Sequence, residues 1–128
     1  MTKLTAETQQ LTEAISRLDE VLREPKNDIV RDSAIKRFEF CMDLAWKTIK
    51  TRLEEENGII VHSPNNAFRE AYKQGLIEYD DKWIKYVEAR NNTVHTYKES
   101  LADEIYEKLP EILENLKKLV GNISTPLK

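Results

Sequence analysis

Arg31-Asp32-Ser33-Ala34-Ile35-Lys36-Arg37-Phe38-Glu39-Phe40-Cys41-Met42-Asp43-Leu44-Ala45-Trp46-Lys47 is the stretch on which the architecture turns. Val30, Ala34, Phe38, Cys41, Ala45, Ile49 and Leu53 recur at helical spacing through and beyond it, and Ile35, Met42 and Trp46 widen the stripe. This pattern predicts a helix from about Asp28 to Glu56, the longest and most apolar of the chain. So wide an apolar face touches more than one neighbour, which places the helix at the centre of a bundle, or in a bundle and a dimer interface together. Arg31, Arg37, Glu39, Asp43 and Lys47 read mostly as its solvated side, with Arg37 free to pair near Glu39 or with a partner chain. Cys41, the only cysteine, lies in the apolar run and reads as a buried structural thiol. A single cysteine permits no intramolecular disulfide, which fits a reducing cytosol.

Working outward from this helix, Leu4, Leu11, Ala14, Ile15, Leu18, Val21 and Leu22 form one stripe and predict a first helix over about Thr5 to Arg23. Pro25 ends it, and Asn27 or Asp28 caps the next. On the other side, Asn57-Gly58 closes the long helix, with Gly58 suited to the left-handed position after a helix end. Ser63-Pro64 is a strong start for a short helix to about Gln74, with Ala67, Phe68, Ala71 and Tyr72 expected to face inward and Gly75 ending it. A further helix begins at an Asp80-Asp81 cap pair, buries Trp83, Ile84 and Val87, and reaches the Arg90 region. Leu101, Ile105, Leu109, Ile112, Leu113, Leu116 and Leu119 predict a last helix from about Ser100 to Val120. Pro110 within it is expected to bend or divide it, and Gly121 to Lys128 reads as a frayed tail. The expected fold is all-α: an up-and-down four-helix bundle with a short extra helix.

Composition agrees. The 128 residues are 34% charged and 40% hydrophobic, with 3 Gly and 4 Pro, a balance suited to long amphipathic helices. That length fits one domain over residues 1–128, with its core within about 5–120. A net charge of −3 argues against broad, non-specific wrapping of nucleic acid, while leaving room for a small basic cleft. No apolar leader and no run of membrane-spanning length is visible, so a cytoplasmic protein away from the membrane is expected. His62, His95 and Cys41 are not at metal-ligand spacing, and no glycine-rich phosphate loop precedes a helix. No metal or cofactor is therefore expected, and His62 reads as a loop histidine without a role.

Chemistry is concentrated in Arg90-Asn91-Asn92-Thr93-Val94-His95-Thr96-Tyr97. It joins a permanent cation, two amides, an imidazole able to exchange protons near neutrality, and a phenol. A phosphate clamp beside a proton shuttle is a minimal kit for cutting RNA. On an ideal helix Arg90 and Tyr97 share one face and Asn91 and His95 another, while Arg90 and His95 stand about 140° apart. For both to reach one ligand, the helix must end between them or two subunits must share the site. Spacing alone favours a plainer description: a surface imidazole near a helix C-terminus and a boundary tyrosine with its hydroxyl in water.

The order of the Arg37-Phe38-Glu39-Phe40 and Leu44-Ala45-Trp46-Lys47 blocks, Ser63-Pro64, Gly75-Leu76-Ile77, Trp83 and Arg90-Asn91-x3-His95-x-Tyr97 resembles the HepT family of the larger HEPN group. That family is also known as the nucleotidyltransferase substrate-binding subunit, and the resemblance covers about residues 5 to 120. It implies a four-helix bundle forming a homodimer whose Arg-x4-His pairs face one another in a cleft. It implies a metal-independent ribonuclease toxin of a toxin–antitoxin pair, with RNA as substrate and tRNA among the candidates. Carried over, His95 is the general acid/base, Arg90 holds the scissile phosphate, and Asn91 orients the imidazole or the phosphate. Tyr97 matches the tyrosine adenylylated by a partner minimal nucleotidyltransferase, the antitoxin. Lys98, which follows, has either a phosphate-binding role or none. The alternative is a non-catalytic subunit that binds nucleotide or substrate for that nucleotidyltransferase, and a helical adaptor without a site is the third reading.

Overall fold

The structure is a computed structural model and describes residues 2–124. It is all-α: α1 (Lys3–Leu22), α2 (Asp28–Asn57), α3 (Pro64–Lys73), α4 (Asp80–Asn92), a 3₁₀ turn (Thr93–His95) and α5 (Glu99–Ser124). Local chemistry sets most boundaries. The Asn27 side chain accepts from the Val30 amide to cap α2, and the Ser63 hydroxyl accepts from the Asn66 amide ahead of Pro64 in α3. Gly58 closes α2 at φ 65°, a left-handed conformation that glycine adopts without a Cβ penalty.

Cross-chain pairs fix the directions of the helices. Arg31 in α2 bonds Asp103 in α5, and Arg52 bonds the Asn122 carbonyl, so α2 and α5 run parallel. Thr51 of α2 donates to Glu7 of α1, while Arg37 donates to the Arg17 carbonyl, so α1 runs against α2. Together with α4, which packs against α2 and α3, this gives an up-and-down bundle with α3 as the insert. α2 touches α1, α3, α4 and α5, as the width of its stripe predicts. Phe38, Cys41, Ala45, Ile49 and Leu53 are wholly buried at its centre.

Several details depart from the sequence reading. Tyr72 faces solvent, 47% exposed, while Ala67, Phe68 and Ala71 carry the inner face of α3. Tyr79, without a side-chain bond, occupies the cap position of α4, and Asp80 and Asp81 fall in its first turn, where they still meet the positive helix end. Pro110 does not divide the last helix. Its ring is on the exposed side, and Ile105, Leu109, Ile112 and Leu113 on either side bury in one core. Helix α5 also continues through Gly121 to Ser124; the remainder of the supposed tail, 125–128, lies outside the described residues. Arg31 is not on a solvated face: it is 5% exposed and ringed by Asp28, Asp32, Glu99 and Asp103. Arg52 is fully buried against Glu56 and the last carbonyls of α5, tying the C-terminal ends of α2 and α5 together. No helix among the described residues is long and apolar enough to cross a membrane.

Candidate active site

Helix α4 ends at Asn92, and the 3₁₀ turn Thr93–His95 takes over. The ideal-helix facing of Arg90 with Tyr97, and of Asn91 with His95, therefore does not hold. The break falls where Asn91, Asn92 and Thr93 are mediocre helix formers. Thr93 builds the junction: its hydroxyl donates to the Arg90 carbonyl at 2.7 Å and accepts from Arg90 Nη1 at 3.2 Å. Thr96 repeats the device, donating to the Thr93 carbonyl at 2.7 Å. The Lys98 amide closes the turn on the His95 carbonyl at 3.1 Å.

Arg90 leaves the last turn of α4 and meets α2. Its Nε and Nη2 donate to the two carboxylate oxygens of Asp43 at 2.9 and 3.0 Å, a fork-to-fork pair. Glu39 lies one helical turn earlier, 3.9 Å from Nη1. The hydrogen bonds to Asp43 raise the Arg90 pKa above its usual value despite desolvation. Arg90 is thus a rigid, permanently charged group with part of its donor edge unspent. Two of the positions read as solvated face, Glu39 and Asp43, are its partners. A like pattern could be sought in the sequence as carboxylates one turn apart on α2, but nothing local links them to Arg90.

Asn91, His95 and Tyr97 are exposed, Tyr97 at 76%. The His95 and Tyr97 rings meet edge to face with centroids 6.2 Å apart. Among the described residues, no side-chain hydrogen bond joins Arg90, Asn91, His95 and Tyr97 to one another. The structure therefore places the four on one short segment, with Arg90 anchored inward and the imidazole and phenol presented together to solvent. His62 is an exposed loop residue.

Beside Arg90 opens a groove of about 220 Å³ between α2, α3 and α4, with Trp46, Pro64, Phe68 and Val94 among its walls and Asn91 at its rim. Its floor is stiff, because Phe68 stacks on Trp83 at 5.0 Å, which meets Tyr86 edge-on at 5.2 Å. Among the described residues no group of three or more His, Cys, Asp or Glu is placed to hold a metal ion.

Residues 5–124 match the family model described as nucleotidyltransferase substrate binding protein like. A probable ribonuclease HepT of Haemophilus influenzae is 33% identical over 93 residues, which span 66% of this chain and 64% of that relative. A solved structure from Thermus thermophilus superposes with a TM-score of 0.86 at 31% identity, covering 90% of this chain and 99% of the other. A tri-AMPylated HEPN toxin of Shewanella oneidensis, solved in complex with its MNT antitoxin, shares the fold with a TM-score of 0.78 at 20% identity, covering 96% and 98% of the two chains. The match spans nearly the whole bundle, including α2 and the Arg90–Tyr97 segment, and the chain belongs to the HepT-like, nucleotidyltransferase substrate-binding family.

Proposed function

We propose that this protein is a HEPN-type ribonuclease toxin that cleaves RNA without a metal and is neutralised by adenylylation of Tyr97 by a partner nucleotidyltransferase. The observation that carries the reading is the junction at the end of α4: a guanidinium fixed by Asp43 and Thr93, followed at once by a turn that exposes His95 beside Tyr97. Arg90 would hold the scissile phosphate, and Asn91 would orient that phosphate or the imidazole. His95 accepts the proton of the RNA 2′-hydroxyl, whose oxygen attacks phosphorus. The bond from phosphorus to the 5′-oxygen breaks, and that oxygen takes a proton from imidazolium, leaving a cyclic phosphate and a free 5′-hydroxyl. In a homodimer the two proton transfers fall to His95 of each subunit across a shared cleft. Adenylylation forms a bond from the Tyr97 oxygen to the α-phosphorus of ATP and releases pyrophosphate. The resulting phosphodiester adds bulk and negative charge beside His95, where the RNA phosphate belongs.

The test is cleavage of total tRNA by purified protein in EDTA, with His95→Ala alongside. The expected result is cleavage by the parent and a loss of about 100-fold or more in the variant. Cleavage that persists undiminished in His95→Ala would refute the reading. A second reading, a non-catalytic nucleotide-binding subunit, draws support from Asp43 and Glu39, whose carboxylates offset the charge of Arg90. It predicts intact RNA, with nucleotide binding only partly reduced by His95→Ala. Mass spectrometry after incubation with the partner and ATP tests Tyr97, and an unmodified Tyr97 removes that part of the proposal.

A further inference from the structure

The groove beside Arg90 is not accounted for by phosphate chemistry. A phosphate needs a cation and hydrogen-bond donors, yet most of this wall is carbon. Trp46 of α2 is half-buried, so part of its indole faces out. Phe68, wholly buried, and Val94, 67% exposed and a bulky aliphatic in an otherwise polar turn, are both in the lining. Val94 adds its aliphatic surface to that of Trp46 and Phe68 in one lining.

The polar features around the groove describe what that occupant is. Arg90 lines it together with its carboxylate partner Asp43, and Lys50, outside the lining, has its Nζ 5.9 Å from the centre of the Trp46 ring. Among the described residues Lys50 has no ion-pair partner. The Asn91 amide, carrying both donors and an acceptor, is at the rim. An aromatic wall, a heterocycle-sized slot of about 220 Å³, an amide at its edge and the open donor edge of Arg90 match the chemistry of a nucleotide: a flat π-face, a hydrogen-bonding edge, and a phosphate. A purely apolar side chain from another protein would leave the amide and the unspent donor edge of Arg90 without use.

From this juxtaposition of Trp46, Val94, Asn91, Arg90 and Lys50 we infer that the groove is a nucleobase subsite, holding one unstacked base of the nucleotide whose phosphate meets Arg90. The inference rests on the nucleotide-directed reading of Arg90 but not on cleavage, since a base would be held equally in a substrate-binding subunit. Trp46 supplies the stacking surface, Val94 closes over the base, and Asn91 reads its edge. Neighbouring phosphates fall to Arg90 and Lys50.

The experiment is tryptophan fluorescence of the full chain titrated with the four nucleoside 5′-monophosphates and, as the base-free probe, ribose 5-phosphate. The nucleotides are expected to change the emission and to bind about 5- to 100-fold more tightly than ribose 5-phosphate. Trp83, 5% exposed and stacked on Phe68, supplies the constant background. Read by titration calorimetry, which needs no fluorescent side chain, Trp46→Leu keeps an apolar residue but loses the ring and is expected to abolish the difference between nucleotide and ribose phosphate, whereas Trp46→Phe keeps most of it. Val94→Glu, at an exposed position that leaves the core untouched, is expected to weaken nucleotide binding without lowering the melting temperature. Equal binding of ribose 5-phosphate and the nucleotides overturns the subsite. So does a Val94→Glu chain that binds as the parent does, or one that keeps nucleotide affinity while losing self-association, which would assign the groove to a second copy. RNA cleavage dependent on His95 but indifferent to Trp46→Leu would leave the nuclease standing and remove the subsite. Base-dependent binding without any cleavage would do the reverse.

Discussion

Arg90 and Asp43, one at the end of α4 and the other in the middle of α2, share a two-bond contact at 2.9 and 3.0 Å. The pair joins the helix that leads into the Arg90–Tyr97 segment to the helix that organises the core. Its geometry sets where the guanidinium points, and through Thr93 it also sets where the 3₁₀ turn begins. Both partners are partly exposed, 27% for Arg90 and 41% for Asp43, so its contribution to stability is modest. Its importance is positional.

Asp43→Ala should therefore cost about 1 kcal/mol or less in chemical denaturation. If RNA is cleaved as proposed, with Arg90 on the phosphate, the same variant should lower kcat by about 10- to 100-fold, because a released guanidinium loses its fixed direction. KM should stay level or fall, since a carboxylate has gone from beside the phosphate. Parental kcat in this variant would show that Asp43 does not set Arg90.

Acid should weaken the bundle through two surface carboxylates. Hydrogen bonds from Arg23 and then Lys117 hold the Asp19 pKa below its ordinary value, and those from Lys26 and then Arg31 do the same for Asp103. A carboxylate whose folded pKa is depressed adds stability above its unfolded pKa, about 3.9, and loses it as pH falls through the folded value. The melting temperature should thus drop below about pH 4. The double variant Asp19→Asn, Asp103→Asn should show a shallower drop between pH 5 and about 2; an unchanged slope would assign acid sensitivity elsewhere.

Cys41 should be nearly inert in the native state. It is 0% exposed, and burial pushes its thiol up to about 12, so thiolate is scarce at neutral pH. Labelling by an aromatic disulfide at pH 8 should run at the rate of unfolding and jump in denaturant. Rapid stoichiometric labelling of folded protein would contradict the packing of α2.

Pro110→Ala should stabilise the protein. Proline removes one helix hydrogen bond inside α5 and its ring crowds the preceding turn, while its exposed position packs little. A gain of about 1–3 kcal/mol is expected in urea unfolding, reduced by the greater freedom of the unfolded chain. A loss would mean that the bundle needs the shape proline gives to α5.

Local patterning in the chain is enough to tell which segments are helical, where α2 and α3 begin and end, and that α2 is the centre. Those signals are local: a stripe at period 3.6, a cap bonding an amide three residues on, a glycine free to turn left-handed. It also located Arg90, Asn91, His95 and Tyr97 as one chemical unit, because they adjoin in the chain. Packing of the helices against one another sets the anchoring of Arg90 to Asp43, the burial of Arg52, the gathering of acids from α2 and α5 around Arg31, and the outward direction of Tyr72. It also decided that α5 passes unbroken through Pro110, where burial of its apolar face outweighs one missing hydrogen bond. Such contacts join residues far apart in the chain. They depend on how the helices rotate and slide against one another, and that is set by the packing of the whole core rather than by any one helix.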